Sequence, residues 1–154
     1  MKTIEVKVNK LPHFDQSFEL PFYATEGAAG ADIRASIPEK KSITVNPGQR
    51  LLVPTGLSME IPMGYEVQVR PRSGLSLKSP LLIVNAPGTI DSDYRGEVNI
   101  IIANFGAEAY VIEHGLRIAQ LVLAPVTQAH YIETNAPLSS TERGAGGFGS
   151  TGTK

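Results

Sequence analysis

The 154-residue sequence contains no cysteine and no tryptophan, and only 6% of its residues are aromatic. The absence of cysteine excludes disulfides, thiolate metal sites and a cysteine nucleophile, and it agrees with a cytoplasmic location. Apolar runs are short, and none approaches the ~20 residues of a membrane-spanning helix. The segment MKTIEVKVNK alternates charged and apolar residues, so we expect neither a signal peptide nor a membrane anchor.

Clustered charge is missing as well. The formal net charge is −1, and the lysines and arginines form no cluster. Neither duplex nucleic acid nor an anionic membrane is therefore expected as a partner. The three histidines, His13, His114 and His130, have no partners at metal-ligand spacing. An anionic ligand would have to be held by a few well-placed groups.

Glycine and proline are frequent, with 15 and 11 residues, and they divide the chain into short segments. Apolar residues occupy every second position in 4–8 and 65–69, which is typical of half-buried strands. Further strand candidates are 33–37, 42–45, 49–57, 98–104, 109–112, 121–126 and 129–132. Short helices are predicted only over 73–78 and 116–121. Turn signals about 8–12 residues apart favour a single all-β domain, an antiparallel sandwich or jelly roll.

The most informative stretch is 81–102, LLIVNAPGTIDSDYRGEVNIII. Its apolar arms, 81–84 and 98–102, predict a β-hairpin around a long polar loop. Asp91 and Asp93 are two residues apart, so in an extended segment they point the same way. Aspartate and serine also collect in turns for backbone reasons, and a solvated turn is the favoured explanation of the loop if it stands alone.

Two other polar groups flank this stretch. In RPRSGLS (70–76) a strand runs into a turn, where the Arg72 guanidinium, the Ser73 hydroxyl and the backbone at Gly74 can converge on phosphate oxygens. A strand end with solvated arginines is the alternative. Gln120 lies in an otherwise apolar segment, so its amide is either structural or faces a ligand.

The pattern changes near residue 134, and we divide the chain into a β domain, 1–133, and a tail, 134–154. The tail has almost nothing to bury, which is typical of a flexible terminus. It also carries a permanent cation, Arg143, and its only aromatic ring, Phe148, among glycines. That combination suits a lid that orders on an anionic, planar ligand.

Five motifs taken in order, AGADIRA, RPRSGLS, NAPGTIDSDYRGEV, GLRIAQL and RGAGGFGSTG, resemble those of the trimeric dUTP diphosphatases, or dUTPases. The resemblance extends from about residue 28 to residue 152. It implies a jelly-roll homotrimer with three active sites at subunit interfaces. It also implies Mg²⁺-dependent hydrolysis of dUTP to dUMP and diphosphate, which limits uracil incorporation into DNA and supplies dUMP for thymidylate synthesis.

The resemblance also implies roles for single residues. Asp91 would be the general base that activates water, and Tyr94 would lie against the deoxyribose. Asp32 would join a water network near the metal, with no direct protein ligand to the ion. The uracil edge would be read by Asn85, Thr89, Ile90 and Asn99.

The phosphates would be held by Arg72, Ser73, Gly74 and Gln120. From another subunit's tail, Arg143 would meet the γ-phosphate and Phe148 would cover the uracil. The phosphate oxygens would accept hydrogen bonds from Gly149, Ser150 and Thr151.

Two other functions are compatible with parts of the pattern. A dCTP deaminase resembles the dUTPases in fold, but it needs a glutamate placed to serve the pyrimidine 4-position. The Asp91 loop with Tyr94 and the complete tail motif favour hydrolysis. A non-catalytic, nucleotide-binding jelly-roll trimer would not need Asp91, Gln120 and the tail motif to occur together.

Overall fold

The computed structural model describes residues 3–147 and 150 of the chain. Within this part the chain forms eleven strands, one short α-helix and a single 3-10 turn at Pro38–Lys40. In chain order the elements are β1 (Lys7–Lys10), β2 (Phe22–Tyr23), β3 (Ala31–Arg34), β4 (Ile43–Val45), β5 (Arg50–Glu60), β6 (Tyr65–Arg70), α1 (Ser73–Lys78), β7 (Leu81–Ile83), β8 (Gly88–Ile90), β9 (Glu97–Asn104), β10 (Tyr110–Ile112) and β11 (Arg117–Pro125).

The strands form two main antiparallel sheets and one separate pair. The first sheet has the order β1-β5-β9-β7, and the second has the order β2-β3-β11-β6-β8. Strands β4 and β10 form the pair. The prediction of an all-β, antiparallel, jelly-roll-like sandwich is confirmed.

The core lies between the two sheets and is built from the inward-facing residues, which occupy every second position along the strands. Val53 and Ile100 are direct cross-strand partners in the first sheet, and both are completely buried. Val69 and Leu121 are partners in the second sheet and are 6% and 5% exposed. Each such aliphatic side chain contributes ~1.5–3 kcal/mol on burial. The burial of every second strand residue in this core explains the period-two pattern of the sequence.

The outward face of the first sheet is unusually apolar. Leu52 and Ile101 are cross-strand partners on this face, and the Leu52 side chain is 59% exposed. Leu82 and Val84, at the β7 end, are 45% and 43% exposed. An antiparallel sheet with one solvated face normally carries polar residues there. Exposed apolar patches of this kind are typical of surfaces that bind another protein or a ligand.

Two of the predicted elements are wrong. No helix forms over 116–121, and residues 117–121 belong to β11, because β11 finds backbone partners on both sides, in β3 and β6. A register shift between Arg117 and Ala119 lets the consecutive residues Ile118 and Ala119 both be buried, which obscures the period of two. The strand predicted over 129–132 is also absent from the described residues, where strand structure ends at Pro125.

The helix predicted over 73–78 is confirmed as α1. Among the described residues, no helix has the length and apolar character needed to cross a lipid bilayer.

Asp15 ties the N-terminal loop to the rest of the sandwich. Its side chain is 8% exposed, and its Oδ2 accepts hydrogen bonds from Lys40 Nζ at 2.8 Å and His114 Nε2 at 3.0 Å. Its Oδ1 accepts from the backbone N–H and the hydroxyl of Ser17 at 2.9 and 2.7 Å. The Lys40 ammonium, followed by the Ser17 donors, holds the pKa of Asp15 well below its usual 3.8.

This lowered pKa makes a prediction for acid stability. A carboxyl whose pKa is lower in the folded state stabilises the fold above its unfolded pKa, and that contribution is lost as the pH falls. We expect Asp15→Asn to lower the thermal unfolding midpoint at pH 7, because an amide carries no negative charge for Lys40. The difference from the unsubstituted chain should shrink below about pH 4. Thermal unfolding followed by circular dichroism at pH 7 and pH 3 measures it.

Glu26→Gln, at an exposed position, is the control and should show no such pH-dependent difference. A gap between Asp15→Asn and the unsubstituted chain that stays constant from pH 7 to pH 3 would contradict the assignment.

Candidate active site

The predicted hairpin arms pair as expected, but their connection is more than a loop. Ile83 of β7 lies opposite Ile102 of β9 in the first sheet. Between these arms the chain crosses to the other layer, where β8 pairs with β6 in the second sheet, with Thr89 opposite Gln68 and Ile90 opposite Val67. Backbone hydrogen bonds therefore hold this segment in both sheets.

The start of β8 depends on a glycine. A Cβ at position 88 would lie 2.9 Å from Asn85 Nδ2 and 3.3 Å from Val69 Cβ. Only a residue without a side chain lets the Asn85 amide lie over the backbone here. Asn85, which sequence analysis assigned to the base, is thereby held against the first residue of β8, with its side chain exposed.

A cavity of about 280 Å³ opens where β8 meets the outward face of the first sheet. Five of the residues selected from the sequence line it together: Thr89, Ile90, Asp91, Tyr94 and Asn99. The rest of the lining consists of Leu52, Glu97, Val98 and Ile101. The cavity thus has a largely apolar wall, with the exposed Asp91 carboxylate directly after β8. It offers room for a small planar ring beside an acid.

The loop after Asp91 is held by its own backbone and by an arginine. The Tyr94 N–H donates to the Asp91 carbonyl at 3.2 Å, which closes a turn. The Arg95 guanidinium donates from one nitrogen to the carbonyls of Ser92 at 2.7 Å and Tyr94 at 2.9 Å. Arg95 was assigned no role from the sequence, where its position inside the polar loop was the only indication of a function.

The Tyr94 ring lies over the residues that follow it in the chain, and it is 46% exposed. Its hydroxyl donates to the Glu97 carbonyl at 3.0 Å. A Cβ at Gly96 would lie 2.3 Å from the hydroxyl oxygen, so this ring position requires glycine at 96.

A second polar group lies on the outward face of the second sheet. Asp32, Gln120 and Arg70 occupy matching positions on the adjacent strands β3, β11 and β6. Asp32 Oδ1 accepts from Arg72 Nε at 2.7 Å, and its Oδ2 accepts from an Arg117 terminal nitrogen at 3.0 Å. Asp32 therefore orients two guanidinium groups. Sequence analysis missed Arg117, which precedes a buried strand segment and resembles an ordinary solvated charge.

Gln120 is fixed between a carbonyl and a glycine. Its Nε2 donates to the Pro71 carbonyl at 2.8 Å. A Cβ at Gly30 would lie 2.1 Å from Gln120 Oε1, so the space for the amide exists because residue 30 is glycine. Ser73 and Gly74 follow in the first turn of α1, where backbone N–H groups have no helical partners.

The two groups face different layers of the chain. The cavity beside Asp91 opens on the first sheet through Leu52 and Ile101, whereas Asp32 and Gln120 alternate with core residues of the second sheet. The fold therefore brings the predicted base-reading residues together at the cavity, except Asn85, which does not line it, and places the predicted phosphate-holding residues in a second group.

In the tail, Arg143 is exposed, and its Nε donates to the Gly146 carbonyl at 2.8 Å. Ser150 is exposed, and its N–H donates to the Gly147 carbonyl at 3.0 Å. The other predicted tail contacts, Phe148, Gly149 and Thr151, lie outside the described residues.

Fold and site together define a class: a jelly-roll protein with a ring-sized cavity beside an exposed acid and a separate surface of oriented arginines. The sequence model of the dUTPase family matches residues 16–152. The chain belongs to the dUTPase family, and the resemblance found from the five motifs is confirmed.

Curated relatives match along nearly the whole chain. The deoxyuridine 5'-triphosphate nucleotidohydrolase of Roseobacter denitrificans is 57% identical over 152 residues, covering 99% of each chain. The protein of the same name from Chlamydia felis is 59% identical over 142 residues, covering 91% of this chain and 95% of its own. Among solved structures, the Staphylococcus bacteriophage 80alpha dUTPase with dUPNHPP has a TM-score of 0.84 and 28% identity, and the match covers 97% of this chain and 99% of the phage protein.

The contact between Gly30 and Gln120 makes a testable prediction. Gly30→Ala should leave the fold intact, because the clashing atom is the end of a flexible side chain, but it should push the Gln120 amide off the Pro71 carbonyl. The side-chain amide signals of Gln120 in a ¹H–¹⁵N NMR spectrum, assigned with Gln120→Ala, should shift. Gly27→Ala is the matched control, since a Cβ there meets nothing within 4 Å. Unchanged Gln120 signals in Gly30→Ala would refute the assigned contact.

Proposed function

We propose that the dUTPase reaction of this chain, hydrolysis of dUTP to dUMP and diphosphate, proceeds by attack of a water molecule held by Asp91 on the α-phosphorus. The relatives named above support the substrate, and the exposed Asp91 carboxylate at the ring-sized cavity carries the mechanism. A carboxylate in this position can orient a water molecule and accept its proton.

In this proposal the uracil ring enters the cavity beside Asp91. The Asn85 amide and backbone groups at Thr89, Ile90 and Asn99 read its polar edge. A site whose polar groups must be paired rejects the wrong base by roughly 10⁴ or more. The closeness of β8 to the outward face of the first sheet would also exclude the methyl group of thymine.

Tyr94 selects the sugar. Its ring stands at the cavity wall, tied through its hydroxyl to the Glu97 carbonyl. A deoxyribose packed against this ring leaves no room for a 2'-hydroxyl, so UTP would be rejected on steric grounds.

Arg72, Ser73, Gly74 and Gln120 hold the triphosphate in this proposal. The ion pairs of Asp32 with Arg72 and Arg117 support it, because they set the direction of a guanidinium before any substrate arrives. Preorganised cations are what phosphoryl transfer chiefly needs from a protein, since catalysis rests on positioning and charge neutralisation.

Mg²⁺ fits this donor set as an ion carried by the substrate. Among the described residues no three histidine, aspartate or glutamate side chains are grouped to hold a metal. Mg²⁺ binds readily through substrate phosphates and retains several water molecules, so a protein cage is unnecessary. Bound in this way, it neutralises charge on the triphosphate. Asp32, which engages two arginines, would reach it only through water.

We further propose a homotrimer whose active sites are shared between protomers. The support is the apolar outward face around Leu52, Leu82 and Ile101, together with the two site groups that face different layers. A neighbouring protomer would cover the apolar face and bring its phosphate-holding group to the uracil cavity. We propose that this trimer is cytoplasmic, in the compartment where free deoxynucleotides are consumed in DNA synthesis.

The tail, 134–154, acts as a lid on a neighbour's site in this proposal, whereas 1–133 forms the β domain. Arg143 would meet the γ-phosphate, Phe148 would stack on the uracil, and Gly149, Ser150 and Thr151 would donate to phosphate oxygens. The absence of helix and strand after Pro125 in the described residues leaves this segment available for such a role.

A deaminase needs a glutamate that serves the pyrimidine, and Glu97 does line the cavity. Its Oε1, however, accepts hydrogen bonds from the backbone N–H groups of Thr55 and Gly56 and from His13. The carboxylate is therefore directed into β5 and away from a base. Hydrolysis is the function that the geometry supports better.

The first kinetic prediction concerns the base. Asp91→Asn should retain dUTP binding and lose turnover by ~10²–10⁴-fold, because an amide cannot accept the proton of water. Binding of a non-hydrolysable dUTP analogue by calorimetry and release of diphosphate in the presence of Mg²⁺ measure the two effects separately.

Asp93→Asn, on the same loop, is the matched control and should remain active. Turnover of Asp91→Asn close to that of the unsubstituted chain would remove Asp91 from the chemistry.

The second kinetic prediction concerns the lid. A chain lacking residues 143–154 should remain trimeric by light scattering and lose ~10²-fold or more in kcat/KM for dUTP, since the groups that close on the phosphates are gone. A chain lacking only Lys154 is the control. Full activity in the shorter chain would show that the tail takes no part in catalysis.

A further inference from the structure

Glu97, the first residue of β9, has a mostly buried carboxylate that none of the proposed catalytic steps uses. Its side chain is 19% exposed. Oε1 accepts hydrogen bonds from Gly56 N–H at 2.7 Å, from Thr55 N–H at 3.1 Å and from His13 Nε2 at 2.8 Å. A carboxylate with several donors is a strong anchor, because such charge-assisted bonds are stronger than neutral ones.

These donors belong to an irregularity in β5. Pro54 lies opposite Asn99, but the next paired residue is Ser58, opposite Glu97, so β5 takes four steps where β9 takes two. Inside this bulge the N–H groups of Thr55 and Gly56 donate to the Glu97 side chain, whereas Leu57 N–H donates to the Thr55 hydroxyl. The bulge itself is confined, because Gly56 has a φ of +68° and a Cβ there would lie 2.8 Å from Phe14 Cα. The Glu97 carboxylate is thus fastened to a rigid part of the sandwich.

The backbone of the same residue holds Tyr94. The Tyr94 hydroxyl donates to the Glu97 carbonyl at 3.0 Å, and Gly96 between them provides the space for the ring. Glycine gives the backbone between Tyr94 and this carbonyl wide conformational freedom, so the position of the ring depends on how firmly residue 97 is held. Residue 97 is held both by its pairing with Ser58 and by its side chain, which accepts hydrogen bonds from the bulge in β5.

We propose that Glu97 is a positioning residue that fixes the Tyr94 ring and so sets the discrimination between deoxyribose and ribose. Glu97 acts through Tyr94 and leaves the reacting atoms untouched. This inference rests on the proposed contact between Tyr94 and the sugar. It adds that the contact of Tyr94 with the sugar is fully selective only while the Glu97 side chain stays bonded to the bulge in β5.

The test compares kcat/KM for dUTP with kcat/KM for UTP in the full-length chain with Mg²⁺. Glu97→Ala removes the acceptor for both bulge N–H groups and should lower the dUTP/UTP ratio by roughly tenfold or more, since small misplacements at a reacting site have large effects. Glu97→Gln keeps a side-chain carbonyl oxygen that can accept from the bulge. It should therefore restore most of the ratio and guards against misfolding of the alanine variant.

Asn104→Ala is the matched control for general loss of stability. Asn104 is the last residue of β9, is completely buried, and makes three hydrogen bonds, to Val45 O, Glu108 O and Gly106 N–H. Its removal should lower the thermal unfolding midpoint as Glu97→Ala does. The dUTP/UTP ratio should stay unchanged, because Asn104 lies at the opposite end of the strand from Tyr94.

Tyr94→Ala, alone and combined with Glu97→Ala, separates the two proposals. The inference is supported if Glu97→Ala lowers the ratio on its own but lowers it no further in the Tyr94→Ala background. It is overturned if Tyr94→Ala lowers the ratio and Glu97→Ala leaves it unchanged, which would leave the sugar contact standing. An unchanged ratio in Tyr94→Ala would overturn the sugar contact and this inference together.

Discussion

The site depends on one backbone constraint, the crossing of the 81–102 segment from one sheet to the other. Its arms are bonded within the first sheet through β7 and β9, while β8 is bonded to β6 in the second. Asp91 follows β8 directly, so its backbone starts from a position that two sheets define. Backbone ladders in a packed sandwich are among the least mobile parts of a protein. An acid and a backbone edge held there would need little reorganisation on binding the proposed substrate.

The charged side chains on the second sheet are also held in fixed directions by their partners. Asp32 joins Arg72 and Arg117 from neighbouring parts of the second sheet, so one carboxylate orients two cations and leaves an excess of positive charge. In this way a chain with a net charge of −1 would hold the proposed triphosphate without a broad basic surface.

The division of the site between two layers gives the proposed trimer a physical reason. The residues proposed to read the base lie beside the first sheet and those proposed to hold the phosphates lie on the second. The close-packed core between the sheets keeps the two groups apart. The exposed Leu52 and Leu82, with the half-buried Ile101, provide a surface whose burial would stabilise an assembly. In the proposed assembly, the surface that stabilises the trimer and the surface that completes the active site are contiguous.

The sequence alone determined the β-sandwich class, the helix α1, the hairpin arms and the family motifs, because alternation, turn residues and motif spacing are local properties. The tertiary structure decided the crossing of β8, a three-residue strand too short to leave a periodic signal, and the strand identity of 117–125, where the bulge at Ile118 and Ala119 hides the alternation. It also decided the partners of Asp32, Glu97 and Gln120. Those partners lie some 40 or more residues away along the chain, and only folding brings them within hydrogen-bonding distance.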